Sequence, residues 1–392
     1  MTEVVIASAV RTPIGKYGKA LRDVPAPRLG AHVARLAIER AGLKPSEIDE
    51  VLMGTAIAAG QGQAPARQVA LLAGVPADVG AVTINKVCAS GMKAITFAFD
   101  EIRSGSISVA VAGAMESMSQ APYLIKNTRW GSRPGHQELL DGMTYDGLQD
   151  ALAGFHMGAT GDWVARKYAI TREDQDAFAL ESHMRALKAY EAGRLREEVV
   201  PLEVERDGAR VMFDRDEGVR PDTSLEKLAR LKPAFLPDGT VTAGNASQLS
   251  DGASAVIVMN EEAAEERGVT PLARIVDYAV GGVKPEDVME APIPTVRKLL
   301  AKTGLSIDDF DLLEHNEAYA SASLAVSKAL GIPREKLNVH GGAVALGHPI
   351  GCSGARIVTT LLHAMRARHA DRGLATLCLG GGNGMAIVVE RQ

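Results

Sequence analysis

The sequence predicts a layered α/β fold made of two copies of one unit, with a segment of different character inserted between them. An internal repeat, an alternation of two hydrophobic periods and a break in charge density lead to this. In the repeat, Ala41 to Ala56 (AGLKPSEIDEVLMGTA) lies without a gap over Thr303 to Ala318 (TGLSIDDFDLLEHNEA), 262 residues apart, and pairs Gly42 with Gly304 and Asp49 with Asp311. Val87 to Thr96 likewise lies over Ile350 to Thr359, 263 residues apart, and pairs Ser90-Gly91 with Ser353-Gly354 and Lys93 with Arg356. Two matches at nearly one offset indicate a duplication.

Residues 1–120 form the first copy, in which the apolar runs VVIASAV and SVAVAGAM flank the amphipathic LGAHVARLAIERAG. Residues 121–247 form the insertion. Of the 39 residues from Arg194 to Lys232, 19 are charged, and the Pro/Gly turns of GVRPDTS and LKPAFLPDG interrupt them, so exposed surface is expected there. The run SAVIVM, within about 248–270, completes the first copy. Residues 271–392 form the second, with TVRKLLAKTG as a helix and LATLCLG and AIVVE as strands. The strands are too uniformly apolar to keep a wet face, so helices should cover both sides of each sheet. Helices shared between two related sheets make five layers, α-β-α-β-α.

Composition narrows the functional classes. Among 392 residues 46% are hydrophobic and 23% charged, with a net charge of −5, which excludes a disordered chain and gives no basic footprint for nucleic acid. No apolar run approaches the roughly 18 residues of a membrane span. MTEVVIASAV lacks a basic n-region and reads as a buried strand, so the expected location is cytoplasmic. Cys88, Cys352 and Cys378 are odd in number and form no CxxC, so neither a disulfide framework nor a metal site is expected.

Two of the cysteines stand where chemistry is possible. Cys88 follows AVTINKV and opens the helical pattern CASGMKAITFAFDEIRSG, which places it at a strand-to-helix turn. Unpaired N–H groups and the positive end of the helix dipole there favour thiolate over thiol, as a nucleophile requires; the alternative is a small buried apolar residue. His348 lies in GGAVALGHPIGCSGAR, the counterpart turn of the second copy, and pseudo-twofold symmetry should bring the two helix N-termini face to face. A histidine facing a cysteine can take its proton, although a structural role is equally open. Cys378 precedes Gly380-Gly381-Gly382-Asn383-Gly384, whose backbone N–H groups could form an oxyanion hole. A dinucleotide loop fails there because a strand follows rather than a helix. Asn316 ends the strand FDLLEH and could hold a water or polarise a carbonyl, or could be only a turn residue. His315 beside it is expected to be solvated, and Cys352, aligned with Ala89, to be packing.

Together NKVCASGMKA, HNEAYA, GGAVALGHPIGCSGAR and CLGGGNG resemble the thiolases, as do VRTPIGKYGKAL, GFHMG and TVTAGNASQLSDGA, so that the resemblance covers essentially the whole chain. It implies two βαβαβαββ halves and an inserted loop domain for coenzyme A binding and oligomerisation, as a dimer or a tetramer with Tyr123 to Gly135 a candidate contact. It implies Cys88 as the acyl-accepting nucleophile, His348 as its activator, Cys378 as the base on the α-carbon of a second acetyl-CoA, and Asn316 as the holder of a water. Backbone N–H groups of Cys88 and Gly380 would stabilise the tetrahedral intermediate. It further maps Arg220 to the adenine end of coenzyme A, Ser247 to the pantetheine, and Leu148, His156, Phe235, Ala243, Ala318 and Tyr319 to the tunnel. The implied substrates are acetyl-CoA, acetoacetyl-CoA and CoA, with no further cofactor. Met157 and Met289 resemble the methionines that shorten the acyl pocket in acetoacetyl-specific members, whereas GNASQLSDGA is closer to broad-chain enzymes of fatty-acid degradation. Tyr319 stands where Phe is usual and adds a hydroxyl that needs a partner.

Overall fold

The computed structural model describes residues 2–131, 133–206 and 208–392. Ser132, within the Tyr123 to Gly135 segment, and Asp207, within the charged segment, lie outside the described residues.

In the first half, Val4–Arg11, Glu50–Gly54, Gly80–Ile84, Val109–Ser117 and Ser250–Asn260 are strands, and Ala26–Arg40, Pro65–Leu72 and Ser90–Arg103 are the helices between them. Every residue of Val4–Arg11 and Val109–Ser117 is buried, because both faces of the sheet carry helices. The second half repeats the order with the strand Ala273–Gly282, helix Pro292–Thr303, strand Leu312–His315, helix Ala320–Leu330, helix Ser353–Arg368 and strands Arg372–Leu379 and Asn383–Arg391. One strand of the copy is reduced: where the first half has Gly80–Ile84, the second keeps only a single bridge between Leu313 and Leu337.

Two sheets were expected from the duplication; the structure joins them edge to edge into one ten-stranded ladder. The join is short, pairing Val5 with Arg274 and Ile6 with Ala273. The halves close over the helices Ser90–Arg103 and Ser353–Arg368, which pack on one another and on both halves of the sheet, with the remaining helices outside, giving the five layers. The repeated Ser-Gly pairs explain this middle layer. A Cβ on Gly91 would lie 2.7 Å from the Cβ of Ala355, and one on Gly354 would lie 2.7 Å from the backbone nitrogen of Met92, so only glycine lets the helices approach. The Gly354 N–H donates to the Cys88 carbonyl (3.1 Å), which locks the two helix starts together.

The insertion begins with a hairpin of Tyr123–Leu124 and Leu140–Asp141, beside which Trp130 stands 87% exposed. It continues through the helices Met157–Lys167 and Arg172–Glu191 and a ribbon of Leu202–Arg206 with Ala209–Phe213. Thr171 and Asp174 form a reciprocal cap that starts the longer helix. The charged segment is largely exposed, as its composition suggests, with two of its described charged residues as exceptions. Glu198 and Asp216 are buried on Arg11, whose Nε donates to Glu198 (2.7 Å) and whose Nη atoms donate to both oxygens of Asp216 (2.7 and 3.0 Å). Opposite charge on the neighbouring strand, absent from any local pattern, draws them inward.

Candidate active site

Cys88 sits in a strained turn. Val87 has φ of 48°, a left-handed conformation that costs a β-branched residue about 1–3 kcal/mol. Ser90 holds the turn by donating from Oγ to the Val87 carbonyl (2.7 Å) and accepting from the Lys86 N–H (2.8 Å). The turn presents Cys88 to a cavity of about 490 Å³ whose wall also includes His348, Cys378 and Gly380.

The second copy builds the opposite wall with the same device. Ser353 Oγ donates to the Pro349 carbonyl (2.9 Å) and so can only accept from His348 Nδ1, which it contacts. The His348 proton is thereby placed on Nδ1 and its Nε2 is left as an acceptor. Asn316 Nδ2 stands 3.5 Å from that Nε2, and the amide is oriented by Arg356, whose Nη2 donates to Asn316 Oδ1 (3.3 Å). Asn316 is fully buried and stands behind His348 rather than on the cavity wall. Arg356 in turn lies 3.5 Å from Glu314, both fully buried. This pair had no sequence signal, since charged residues are ordinarily solvated.

Burial and then the Arg356 charge push His348 down to about 3, so its ring is neutral at physiological pH. The expectation of a Cys88 thiolate is corrected. Burial, and next the neighbouring Cys378, hold the Cys88 thiol well above its ordinary range, and these outweigh the N–H groups of Gly380 and Cys88 that hydrogen-bond its sulfur. The free site therefore holds a thiol beside a neutral imidazole, and the proton must move during the reaction. Burial pushes Cys378 up to about 12, and its Sγ lies 3.7 Å from Met289 Sδ. Iodoacetamide labelling of Cys88, followed by peptide mass spectrometry, is expected to accelerate steadily with pH through and beyond pH 8.5, where an ordinary thiol begins to saturate. A plateau below pH 8 would mean that the helix N-terminus prevails over burial.

The expectation of a solvated His315 is also corrected. The ring is 1% exposed, its Nδ1 is 2.8 Å from Ser323 Oγ, and burial pushes it to about 4. The strand end lies under the helix Ala320–Leu330, so a terminal position in sequence is not an exposed one. Cys352 is buried, as expected of packing.

The rest of the cavity wall brings together Leu148, His156, Met157, Arg220, Phe235, Ala243, Ser247, Ala318 and Tyr319, with Met289. His156 starts the helix Met157–Lys167, with Nδ1 accepting from the Gly158 N–H (3.0 Å), and stacks on Phe235 at 5.0 Å. Ser247 is fixed by its N–H to the Ala318 carbonyl (2.9 Å). At this wall Lys16 joins Arg220, and its ammonium is destabilised first by burial and then by the Arg220 charge. Sequence reasoning missed Lys16; its only signal was a second cation within VRTPIGKYGKAL.

A duplicated five-layered α/β body with a cysteine, a neutral histidine and a second cysteine at the meeting of its helix starts defines a thiolase. The family models "Thiolase, N-terminal domain" and "Thiolase, C-terminal domain" match residues 4–262 and 269–391, and the chain belongs to the thiolase family. It is 50% identical, over the full length of both chains, to the acetyl-CoA acetyltransferases of Pseudomonas aeruginosa and Cupriavidus necator. It is 48% identical over full length to a probable acetyl-CoA acyltransferase of Staphylococcus aureus. The crystal structure of the Bacillus anthracis acetyl-CoA acetyltransferase superposes with a TM-score of 0.98 at 46% identity, covering 100% of this chain and 99% of that one.

Proposed function

We propose that this chain is an acetyl-CoA C-acetyltransferase, catalysing the reversible condensation of two acetyl-CoA to acetoacetyl-CoA and CoA through an acetyl-cysteine. The observation that carries the reading is the convergence of Cys88, His348, Cys378 and the Gly380 N–H on one cavity, in a chain 50% identical to acetyl-CoA acetyltransferases. Simple acyl-CoA binding would need neither a nucleophile nor a base.

In the first half-reaction the Cys88 thiol passes its proton to His348 Nε2 as sulfur adds to the thioester carbonyl. The carbonyl oxygen takes the charge and receives the N–H groups of Cys88 and Gly380, which already point at the sulfur. Collapse expels the CoA thiolate, which takes the proton back from His348 and leaves as the thiol. In the second, the Cys378 thiol passes its proton to His348 Nε2, the resulting Cys378 thiolate removes a proton from the α-carbon of a second acetyl-CoA, and the His348 Nε2–H, with a water held by Asn316, stabilises the enolate oxygen. The carbanion attacks the acetyl-cysteine, the new carbon–carbon bond forms, and the Cys88 thiolate is expelled and reprotonated by His348, while Cys378 keeps the proton from the α-carbon as its thiol. Because the pair rests as thiol and imidazole, each proton has a short reversible path and no stable ion pair has to be broken.

Lys16 and Arg220 on the cavity wall suit the polyanionic end of coenzyme A, and the apolar remainder suits pantetheine. The insertion would then serve coenzyme A binding, and the exposed Tyr123 and Trp130 of its hairpin would join dimers into a tetramer. Among the described residues no helix is long and apolar enough to cross a membrane, and we assign the enzyme to the cytoplasm. Met157 and Met289 at the acyl end favour the short-chain reading over a broad-chain 3-ketoacyl-CoA thiolase of fatty-acid degradation. The test is CoA-dependent thiolysis of acetoacetyl-, 3-ketohexanoyl- and 3-ketodecanoyl-CoA. Activity confined to the four-carbon substrate is expected; comparable rates on all three would replace this reading with the broad-chain enzyme.

A further inference from the structure

Tyr319 holds a polar group where the cavity is otherwise apolar. It starts the helix Ala320–Leu330 and its side chain is 7% exposed. The ring cannot swing away. It packs edge-on to Phe235, with centroids 6.0 Å apart, and against Gly161, where a Cβ would come within 2.9 Å of the tyrosine Cγ. Its neighbours in the same apolar cluster are Met157, Met289 and Cys378, the side chains around the acyl end. Its phenol oxygen has no hydrogen-bond partner among the described residues. A buried hydroxyl of this kind ordinarily finds a partner, and here one can come only from the cavity. The phenol also stays protonated, since burial and then the two cysteines raise it above its ordinary range. It is therefore a fixed O–H donor facing whatever occupies the acyl end.

We propose that Tyr319 is a polarity filter on acyl-chain length. With a two-carbon acyl group the cavity retains a water on the hydroxyl. A longer alkyl chain displaces that water and covers the donor with methylene groups that cannot accept its hydrogen bond. Selection against the longer chain thus has two parts. Met157 and Met289 limit volume, and Tyr319 makes the space that remains costly to fill with hydrocarbon. The inference rests on the thiolase reading and deepens it: the excluded substrates are those with an extended aliphatic chain, and the excluding group is a hydroxyl that phenylalanine at this position would lack.

The test is Tyr319→Phe, which removes one oxygen and keeps the ring, assayed for thiolysis of acetoacetyl-CoA and 3-ketohexanoyl-CoA beside the unmodified enzyme. The ratio of kcat/KM for 3-ketohexanoyl-CoA to that for acetoacetyl-CoA is expected to rise about 10-fold, the size of one unmade hydrogen bond. Met289→Ala, which adds volume but leaves the hydroxyl, is the second variant, and Tyr319→Phe placed on it should still raise the six-carbon rate. An unchanged ratio of the two substrates in both backgrounds overturns the filter. So does an equal loss on both substrates, which would place the hydroxyl on the reacting atoms. Failure of the unmodified enzyme to cleave acetoacetyl-CoA would instead strike the proposed function, so the two failures are distinguishable.

Discussion

Cys88→Ala is expected to lower kcat/KM for thiolysis by on the order of 10⁴-fold or more, and Cys378→Ala to stop turnover at a different point. The first variant loses the atom that accepts the acyl group, so incubation with acetyl-CoA should leave the protein mass unchanged and release no CoA. The second keeps Cys88, His348 and the Gly380 N–H on the cavity but lacks the base for the α-carbon. It should therefore gain one acetyl group on Cys88, release one equivalent of CoA and then halt, because the enolate is never formed. Mass spectrometry with a thiol-release assay reads both outcomes. Acetylation of the Cys88→Ala variant at Cys378, or full turnover by the Cys378→Ala variant, would reverse the assignment. The neutral His348 makes a further distinction. His348→Ala should impair both half-reactions, since the same ring moves the Cys88 proton and faces the enolate oxygen.

Arg11→Met is expected to destabilise the fold by about 3–5 kcal/mol, read as a lowered urea or thermal midpoint. The guanidinium is fully buried with all of its neighbours ordered, donating to Glu198, to both oxygens of Asp216 and to the Thr12 carbonyl (3.1 Å). Without it two carboxylates remain in the interior with no counter-charge, which costs more than the lost attraction itself. The damage should also reach the substrate. Asp216 Oδ1 additionally accepts from the Ile14 N–H (2.7 Å), and Glu217 accepts from the Lys16 N–H (2.9 Å) and donates its own N–H to the Ile14 carbonyl (3.0 Å). The same short stretch thus sets the backbone carrying Lys16 and leads into Arg220. A raised KM for CoA with little change in kcat should accompany the loss of stability. Arg11→Lys should recover only part of either, since an ammonium cannot engage Asp216 through two parallel donors.

Much of the architecture was legible because duplication writes itself twice. The Ser-Gly pairs at 90–91 and 353–354 are short, yet they mark the one contact at which both halves need a hydroxyl to close a turn and a missing Cβ to admit a neighbour. The reactive residues were legible for a related reason, since a cysteine at a helix start and a histidine at the matching start are local features. What escaped is whatever depends on the surroundings after folding. The helix dipole at Cys88 is visible in sequence, but the depth at which it is buried is not, and depth decides its protonation. His315 ends a strand and was read as solvated, whereas a following helix covers it. The Glu314–Arg356 pair and the inward-turned Glu198 and Asp216 have no periodic signature, because each is drawn inside by a partner between 42 and 205 residues away.

The second copy of the reactive position has had a different fate. Glu116 stands 262 residues before Cys378, second from the end of its strand as Cys378 is of its own. It faces no cavity. Its carboxylate accepts from Thr55 Oγ1 (2.9 Å) and from the N–H groups of Ala56 (2.9 Å), Ile57 (3.2 Å) and Gly351 (2.7 Å), buckling the first half to the turn that carries His348. The ancestral plan thus offers twin niches, of which one opens on the reactive cavity and the other is sealed into a clasp. Equivalent substitutions at the twins are accordingly not equivalent in effect: at Cys378 they alter the chemistry available to a ligand, and at Glu116 they alter how firmly the two halves hold that niche in shape.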